Sequence, residues 1–391
     1  MGGKVMHILI IGAGIAGLGA AWALVRDGHR VTVLERGPIP NPRGASVDSH
    51  RLIRRAYGSE DGYMRLITHA CAAWDRMWAD LGVKLCVDTG ALSTSARTDD
   101  WVAMSLQALK TGGFPVDELD AKRLAERFPL VEPRGIEVAF FSPEGGVLLA
   151  DRIVAALARW LAATGTQLRP GTQVVDIDAD AGAVTLADGE RLAADLVLVA
   201  AGAWVAMLAP GLAAKVEPSR QVLAYVDLPD DLARAWATHP SLLCVERAEG
   251  FYLVPPVVAP DGTRTRLKIG DHLFSRTGDP EADPRVAGAE ETRAVLEQAR
   301  GRLRHLERYR LAEGKVCYYT VDRRPGHETF QSLPLGRSAW AMSNCSGHGF
   351  KFGACLGEAF ADMVAGRSSP DAFTKYAAGA ASVVPSEARN L

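Results

Sequence analysis

Residues 7–36, HILIIGAGIAGLGAAWALVRDGHRVTVLER, leave this chain few folds to choose from. An apolar run, 8–11, meets Gly12-Ala13-Gly14-Ile15-Ala16-Gly17. An Ala- and Leu-rich run follows to Val25, Gly28 closes it, and a second apolar run, 31–34, ends in Glu35. The pattern reads as strand, glycine turn, helix, strand. Gly12 permits the tight turn, Gly14 lets the backbone approach a pyrophosphate, and Gly17 lets helix and strand pack closely. Ile15 and Ala16 open the helix, where free amides and the positive dipole end attract phosphate. Glu35 tips the second strand at the place from which a carboxylate reaches a ribose hydroxyl, with Arg36 beside it. A lone GxGxxG is weak evidence. One that follows a strand, opens a helix and is completed by an acid-tipped strand specifies dinucleotide binding.

Two blander readings compete for this stretch. Residues 8–25 carry no charge, as a membrane span would, but the run is short for a bilayer and holds Gly12, Gly14, Gly17 and Gly19. Ala21-Trp22-Ala23 mimics a signal-peptide cleavage site, yet cleavage there would orphan the strand at Val31. The cytoplasm is therefore the expected compartment. At 391 residues about two to three domains are expected. A net charge of −2, with no long basic block, argues against a nucleic-acid partner. The six cysteines form no CxxC pair, so neither a disulfide framework nor a zinc site is expected.

Beyond residue 36, a Pro- and Gly-rich loop, 37–49, leads into Arg51-Leu52-Ile53-Arg54-Arg55-Ala56-Tyr57-Gly58. Helical spacing of Tyr63, Leu66, Ile67, Ala70, Trp74, Met77, Trp78 and Leu81 predicts an amphipathic helix over 61–81, its stripe buried as core. Residues 84–145 read as short strands with one short helix, 116–128. A helix over 151–164 follows, with Asp151 as N-cap. Then come a strand at 173–177, a hairpin around Asp188-Gly189 and an apolar strand, 196–200. That last strand runs into Ala201-Gly202-Ala203-Trp204, which repeats the opening theme and implies that the nucleotide-binding sheet resumes there. From residue 216 alternating strands predict an antiparallel sheet: 221–227, 242–245, 250–254, 264–269 and 314–319, with a charged helix at 290–305. His239 and His305 read as surface residues. A final strand, 339–344, a loop, 345–352, and a helix, 353–365, close the pattern. The expected fold is α/β plus α+β. A discontinuous Rossmann-like domain (1–58, 145–215 and 318–391) would carry an inserted antiparallel-sheet substrate domain (59–144 and 216–317).

Four stretches, in this order, carry a further signal. They are Gly12 to Gly17 with Glu35; Arg51-Leu52-Ile53-Arg54 with Ala56-Tyr57-Gly58; Leu267-Lys268-Ile269-Gly270 with His272; and Val316-Cys317 with Tyr319, followed by Ser346-Gly347-His348-Gly349-Phe350-Lys351. Together they resemble the D-amino-acid-oxidase-type flavoprotein family, and most closely its branch of monomeric sarcosine oxidases and N-methyltryptophan oxidases. The resemblance implies FAD. It implies that Cys317 carries the flavin through sulfur; read alone, Cys317 is a buried structural thiol. It sets Lys268 by the flavin ring, where a fixed cation would stabilise the superoxide formed from dioxygen. Read alone, Lys268 is an edge residue whose ammonium reaches water.

In the same resemblance Arg54 and Lys351 hold a substrate carboxylate, one bidentately and one as a point charge. Their plainer readings are a solvated helix face and an ordinary loop lysine. Arg51 matches a residue near the ring, and His272 and Tyr319 match pocket residues. Backbone amides of Gly347, His348, Gly349, Phe350 and Lys351 would hold the pyrimidine end of the ring. Val174, Gly202 and Trp204 fall on the cofactor side.

The substrate side departs from the family. Leu253 and Pro255 stand where relatives carry a second tyrosine and a phenylalanine, so both are expected at the substrate. Val47 replaces a histidine, Asp271 an aromatic residue, and 322–328 lack the usual Pro-Asp-x-x-Phe run. The expectation is an FAD-dependent oxidase of an N-alkylated or cyclic secondary amino acid other than sarcosine. It would use dioxygen, make hydrogen peroxide, and work as a monomer with no metal, nucleic acid or membrane. The alternatives are a biosynthetic flavin dehydrogenase that passes electrons to a carrier, and a flavoprotein with no catalytic role.

Overall fold

In a computed structural model the described residues are 4–246, 249–271, 276–323 and 330–380. The opening stretch folds as its pattern requires. Strand His7–Ile11 lies parallel between Arg30–Leu34 and Leu196–Val199, with Ile8 opposite both Val31 and Leu196. Ala339–Ser343 continues the sheet in parallel, and Gln331–Pro334 closes that edge antiparallel. Gln167–Arg169 closes the other edge. The strands flanking the center are almost wholly apolar and buried, as parallel strands covered on both faces must be. The strand at 196–200 does resume the sheet.

Helix Ile15–Arg26 is buried along most of its length and packs against helix Gly353–Val364, which one more helix, Pro370–Ala377, follows. Helix Asp61–Leu81 matches its expected bounds, and its aromatic and methionine stripe is core. No helix among the described residues is long and apolar enough to cross a membrane. All six cysteines are free thiols.

The second sheet has eight strands. Their order is Arg310–Asp322, Val216–Asp227, Leu267–Asp271, Glu249–Val254, Ser241–Glu246, Ala91–Ser95, Val138–Ser142 and Asp117–Glu118. All its pairings are antiparallel except that of Ser241–Glu246 with Ala91–Ser95. Period-two alternation gives this sheet two unlike faces. One carries Val222, Ala224, Phe251, Leu253, Leu267 and Ile269 into an apolar core. The other carries Leu223, Tyr225, Tyr252, Cys317 and Tyr319. Lys268 lies opposite Tyr225 in the ladder and shares that second face.

Several expectations need correcting. Residues 101–111 form a helix, Trp101–Thr111, where short strands were expected; Asp100 caps it by accepting from the Val102 and Ala103 amides. The helix near 116–128 is shorter, Ala121–Arg127. The helix at 151–164 starts one residue earlier, at Ala150, with Leu149 at the N-cap position and Asp151 in the first turn. The charged helix stops at Gln298, because Gly301 turns the chain with a φ of 80°. His239 is buried against Trp236 and Phe128, and burial lowers its pKa to about 4; His305 is exposed. Arg51–Arg54 is a strand paired with Gly145–Leu148, so Arg54 lies on no helix face.

Candidate functional site

A cavity runs between the two sheets. One end is lined by Gly12, Ala13, Gly14, Ile15, Ala16, Glu35 and Arg36. Its wall includes Val174, Gly202, Trp204, Arg43, Ser46 and Arg51, and its far end is Tyr319, Cys345 and the loop Gly347, His348, Gly349, Phe350 and Lys351. The glycine turn is forced by space. Gly12 has a φ of 107°, and a Cβ there would stand 2.4 Å from the Ala200 carbonyl oxygen. A Cβ on Gly17 would stand 2.0 Å from the Gly12 carbonyl oxygen, so helix and strand meet backbone to backbone.

Glu35 is buried and ties this end together. Its carboxylate accepts from the Ala13 amide at 2.9 Å, the Gly37 amide at 3.0 Å and the Asn41 side chain at 2.8 Å. A carboxylate has about four lone-pair sites, so capacity for a ribose hydroxyl remains. Ser46 accepts from the Ile15 amide at 2.9 Å. The guanidinium of Arg36 pairs with Glu281 and lies over the Trp204 ring, as do Arg43 and Arg285. These residues fit the pyrophosphate and nucleoside of a dinucleotide: glycine backbone at a helix N-terminus, a carboxylate beside it, and guanidiniums along the wall.

The far end is built by helix Gly353–Val364 and helix Asp61–Leu81. Trp74 donates from its indole to the Lys351 carbonyl at 2.8 Å, and Ser346 donates its amide to the Thr320 carbonyl at 2.8 Å. These bonds fix the 347–351 loop against the start of Gly353–Val364. Lys351 is buried; its ammonium donates to the Tyr57 hydroxyl at 3.1 Å and the His348 carbonyl at 2.9 Å. Arg54 is buried too, with its guanidinium between the Tyr57 and Trp101 rings at 4.5 and 4.7 Å. The structure thus brings Arg54 and Lys351 onto one tyrosine. Tyr57 also shares a 3.1 Å hydrogen bond with His348 Nδ1.

Under the sheet face, Lys268 is fully buried, with no edge from which its ammonium could reach water. The ammonium donates to Asp48 Oδ2 at 3.0 Å and to the His50 carbonyl. Asp48 Oδ2 is also the partner of Arg51. Burial lowers the Lys268 pKa to about 8, against the raising effect of Asp48. Burial likewise pushes Cys317 up to about 11, while Arg51 opposes it. Tyr319 and Tyr252 share a hydrogen bond, and burial raises both phenols. Lys268, Cys317 and Arg54 lie behind the cavity surface; Arg51, Tyr319 and Lys351 line it.

Two expected pocket residues are elsewhere. Leu253 points into the apolar core on the opposite sheet face, because alternation sends its neighbor Tyr252 toward Tyr319 instead. Pro255 is buried but does not line the cavity. His272 lies outside the described residues, as do 324–328 of the 322–328 segment. Sequence reasoning passed over Asp48, Tyr57, Trp101, Tyr252 and Cys345 as site residues. Asp48 stands three residues before Arg51 in an irregular loop, where no periodicity marks it.

A family model described as FAD dependent oxidoreductase matches residues 7–363. Monomeric sarcosine oxidase of Bacillus sp. (strain B-0618) is 27% identical over 372 residues, which cover 91% of each chain. N-methyl-L-tryptophan oxidase of Yersinia pestis (strain Pestoides F) is 26% identical over 371 residues, 93% of this chain and 96% of the relative. Among solved structures, NikD, an unusual amino acid oxidase essential for nikkomycin biosynthesis, superposes with a TM-score of 0.78 at 21% identity, over 94% of this chain and 95% of that one. Glycine oxidase from Bacillus cereus ATCC 14579 gives 0.76 at 19% identity, over 94% and 97%. With its glycine turn, its two-sheet architecture and a family match over nearly its whole length, the chain belongs to the FAD-dependent oxidoreductase family.

Proposed function

We propose that the chain is an oxidase of a secondary amino acid, N-alkylated or cyclic, which converts the amine to an imine and dioxygen to hydrogen peroxide. It is a flavin-dependent oxidoreductase acting on CH–NH groups, of the sarcosine oxidase type. The bound flavin supplies the redox chemistry: it takes a hydride equivalent from the carbon beside nitrogen and delivers two electrons to dioxygen. The chain supplies binding, orientation and charge.

Glu35 and the amides at the start of Ile15–Arg26 hold the nucleotide end. The 347–351 loop, at the start of Gly353–Val364, presents amides to the ring end. Cys317 is the thiol for covalent attachment. Arg54 and Lys351 grip the substrate carboxylate, and Tyr57 keeps the two cations together. Lys268, with Arg51, stabilises the negative charge that dioxygen acquires, in a site that excludes water.

The observation that carries this reading is a fully buried ammonium, Lys268, on the same sheet face as Cys317 and Tyr319. A buried ammonium is costly, and a cation near a site of developing negative charge gives that cost a purpose. The test is Lys268→Met, followed by stopped-flow absorbance in each half-reaction. Reoxidation by dioxygen should slow by about 10²-fold or more, with flavin reduction nearly unchanged. Equal losses in both half-reactions would refute the role.

A further inference from the structure

Lys268 is not alone in its burial. Its ammonium and the Arg51 guanidinium both meet Asp48 Oδ2, and Asp48 is 2% exposed. The other Asp48 oxygen accepts from the Ser49 amide at 2.9 Å, and the Asp48 carbonyl accepts from the Asp151 amide at 2.9 Å, so the loop cannot easily swing this carboxylate away. Two cations this close, without water, would repel and favor loss of a proton from the lysine. One carboxylate between them leaves a single net positive charge.

We propose that Asp48 is a positioning residue: its carboxylate, shared between Arg51 and Lys268, supplies the counter-charge that holds Lys268 as an ammonium under the flavin side of the sheet. The inference rests on the reading of Lys268 given above. The other groups around the ammonium do not replace Asp48. His50 supplies a carbonyl, and burial together with Lys268 holds its ring neutral. Tyr225 faces Lys268 from the neighboring strand, and Cys317 and Tyr252 lie on the same face, the last two kept protonated by burial. Asp151 feels the charges of Asp48 and Lys315, and Lys315 donates to the Val47 carbonyl. Burial, and Arg51 after it, lower the Lys268 pKa, while Asp48 raises it.

The test follows the lysine itself. The chain has nine lysines. In holoenzyme labeled with ¹³C at lysine Cε, the signal missing from Lys268→Met belongs to Lys268. In the wild type that signal should titrate near pH 8. In Asp48→Asn its midpoint should fall by about one unit or more. The alkaline limb of flavin reoxidation should move by the same amount, with the rate recovering toward wild type at low pH. In Arg51→Met the midpoint should rise, which tests the same coupling if Asp48→Asn does not fold. An unmoved midpoint in either variant overturns the proposal. If Lys268→Met leaves reoxidation untouched, the dioxygen role fails, while the nuclear resonance arm still decides the role of Asp48.

Discussion

At Cys317, burial and charge act against each other. The thiol is buried and its pKa stands near 11, yet Arg51 and Lys268 both favor the thiolate. The thiolate is the nucleophile in thiol chemistry, so the proposed attachment of flavin there depends on those two cations. Acid precipitation of the wild type should leave the yellow color in the pellet, and Cys317→Ser should release it to the supernatant. Cys345→Ser is the control, because Cys345 packs in the same cluster and lines the cavity. Color lost with Cys345 rather than Cys317 would reassign the bond. Lys268 makes a second prediction. Its folded pKa lies below the free lysine value, so the ammonium is present below about pH 8 and is lost above it. Flavin reoxidation should therefore decline as pH rises through about 8, while an unchanged rate up to pH 10 would contradict the role. Residue-level legibility was uneven. Gly12, Gly17 and Glu35 were readable because spacing ties them to a turn and a strand tip. Leu253 was misplaced by reasoning from a substituted position without the strand's phase; Tyr252, one residue away, faces Tyr319.

The elements join the two ends of the cavity through a crossing of helices. A Cβ on Gly357 would stand 2.3 Å from the Gly19 carbonyl oxygen, and one on Gly19 would stand 2.5 Å from that of Gly353. Helix Ile15–Arg26 and helix Gly353–Val364 therefore touch through backbone. One begins at the glycine turn and the other at the 347–351 loop, so this crossing sets the distance between the two proposed grips on the cofactor. Gly357→Ala must push the helices apart. It should cost about 1–3 kcal/mol in urea unfolding and lower the flavin bound at purification. Gly211→Ala, with open space around it, should cost less than about 0.5 kcal/mol. Equal effects of the two would contradict the crossing's importance. Elements with a clean period were legible: His7–Ile11, Ile15–Arg26 and Asp61–Leu81. Trp101–Thr111 was not: Val102, Leu106 and Leu109 fall at helical spacing, but the Asp100 cap that starts the helix ends a polar run, 97–100, that reads as a turn. The pairing of Ala91–Ser95 with Ser241–Glu246 joins strands far apart in the chain, which local pattern cannot reveal.

For the molecule as a whole, the proposed function gives the nucleotide grip to the parallel sheet and the chemistry to the eight-stranded sheet. The dinucleotide half was legible because a phosphate-binding turn obeys local rules. The convergence of Arg51, Lys268 and Cys317 was expected only through resemblance, since they come from three distant strands and meet only after folding. Asp48, which joins two of them, lies in irregular chain and left no pattern. In the proposed reading the amine is selected by side chains around Arg54, Tyr57 and Lys351, which have no sequence period. The most direct test of the account is turnover of a panel of secondary amino acids, N-methylated and cyclic, with hydrogen peroxide measured in air. At least one of them should give peroxide in equal amount to the amine consumed. Rapid reduction of an artificial dye by the same amine, with no peroxide formed, would contradict it.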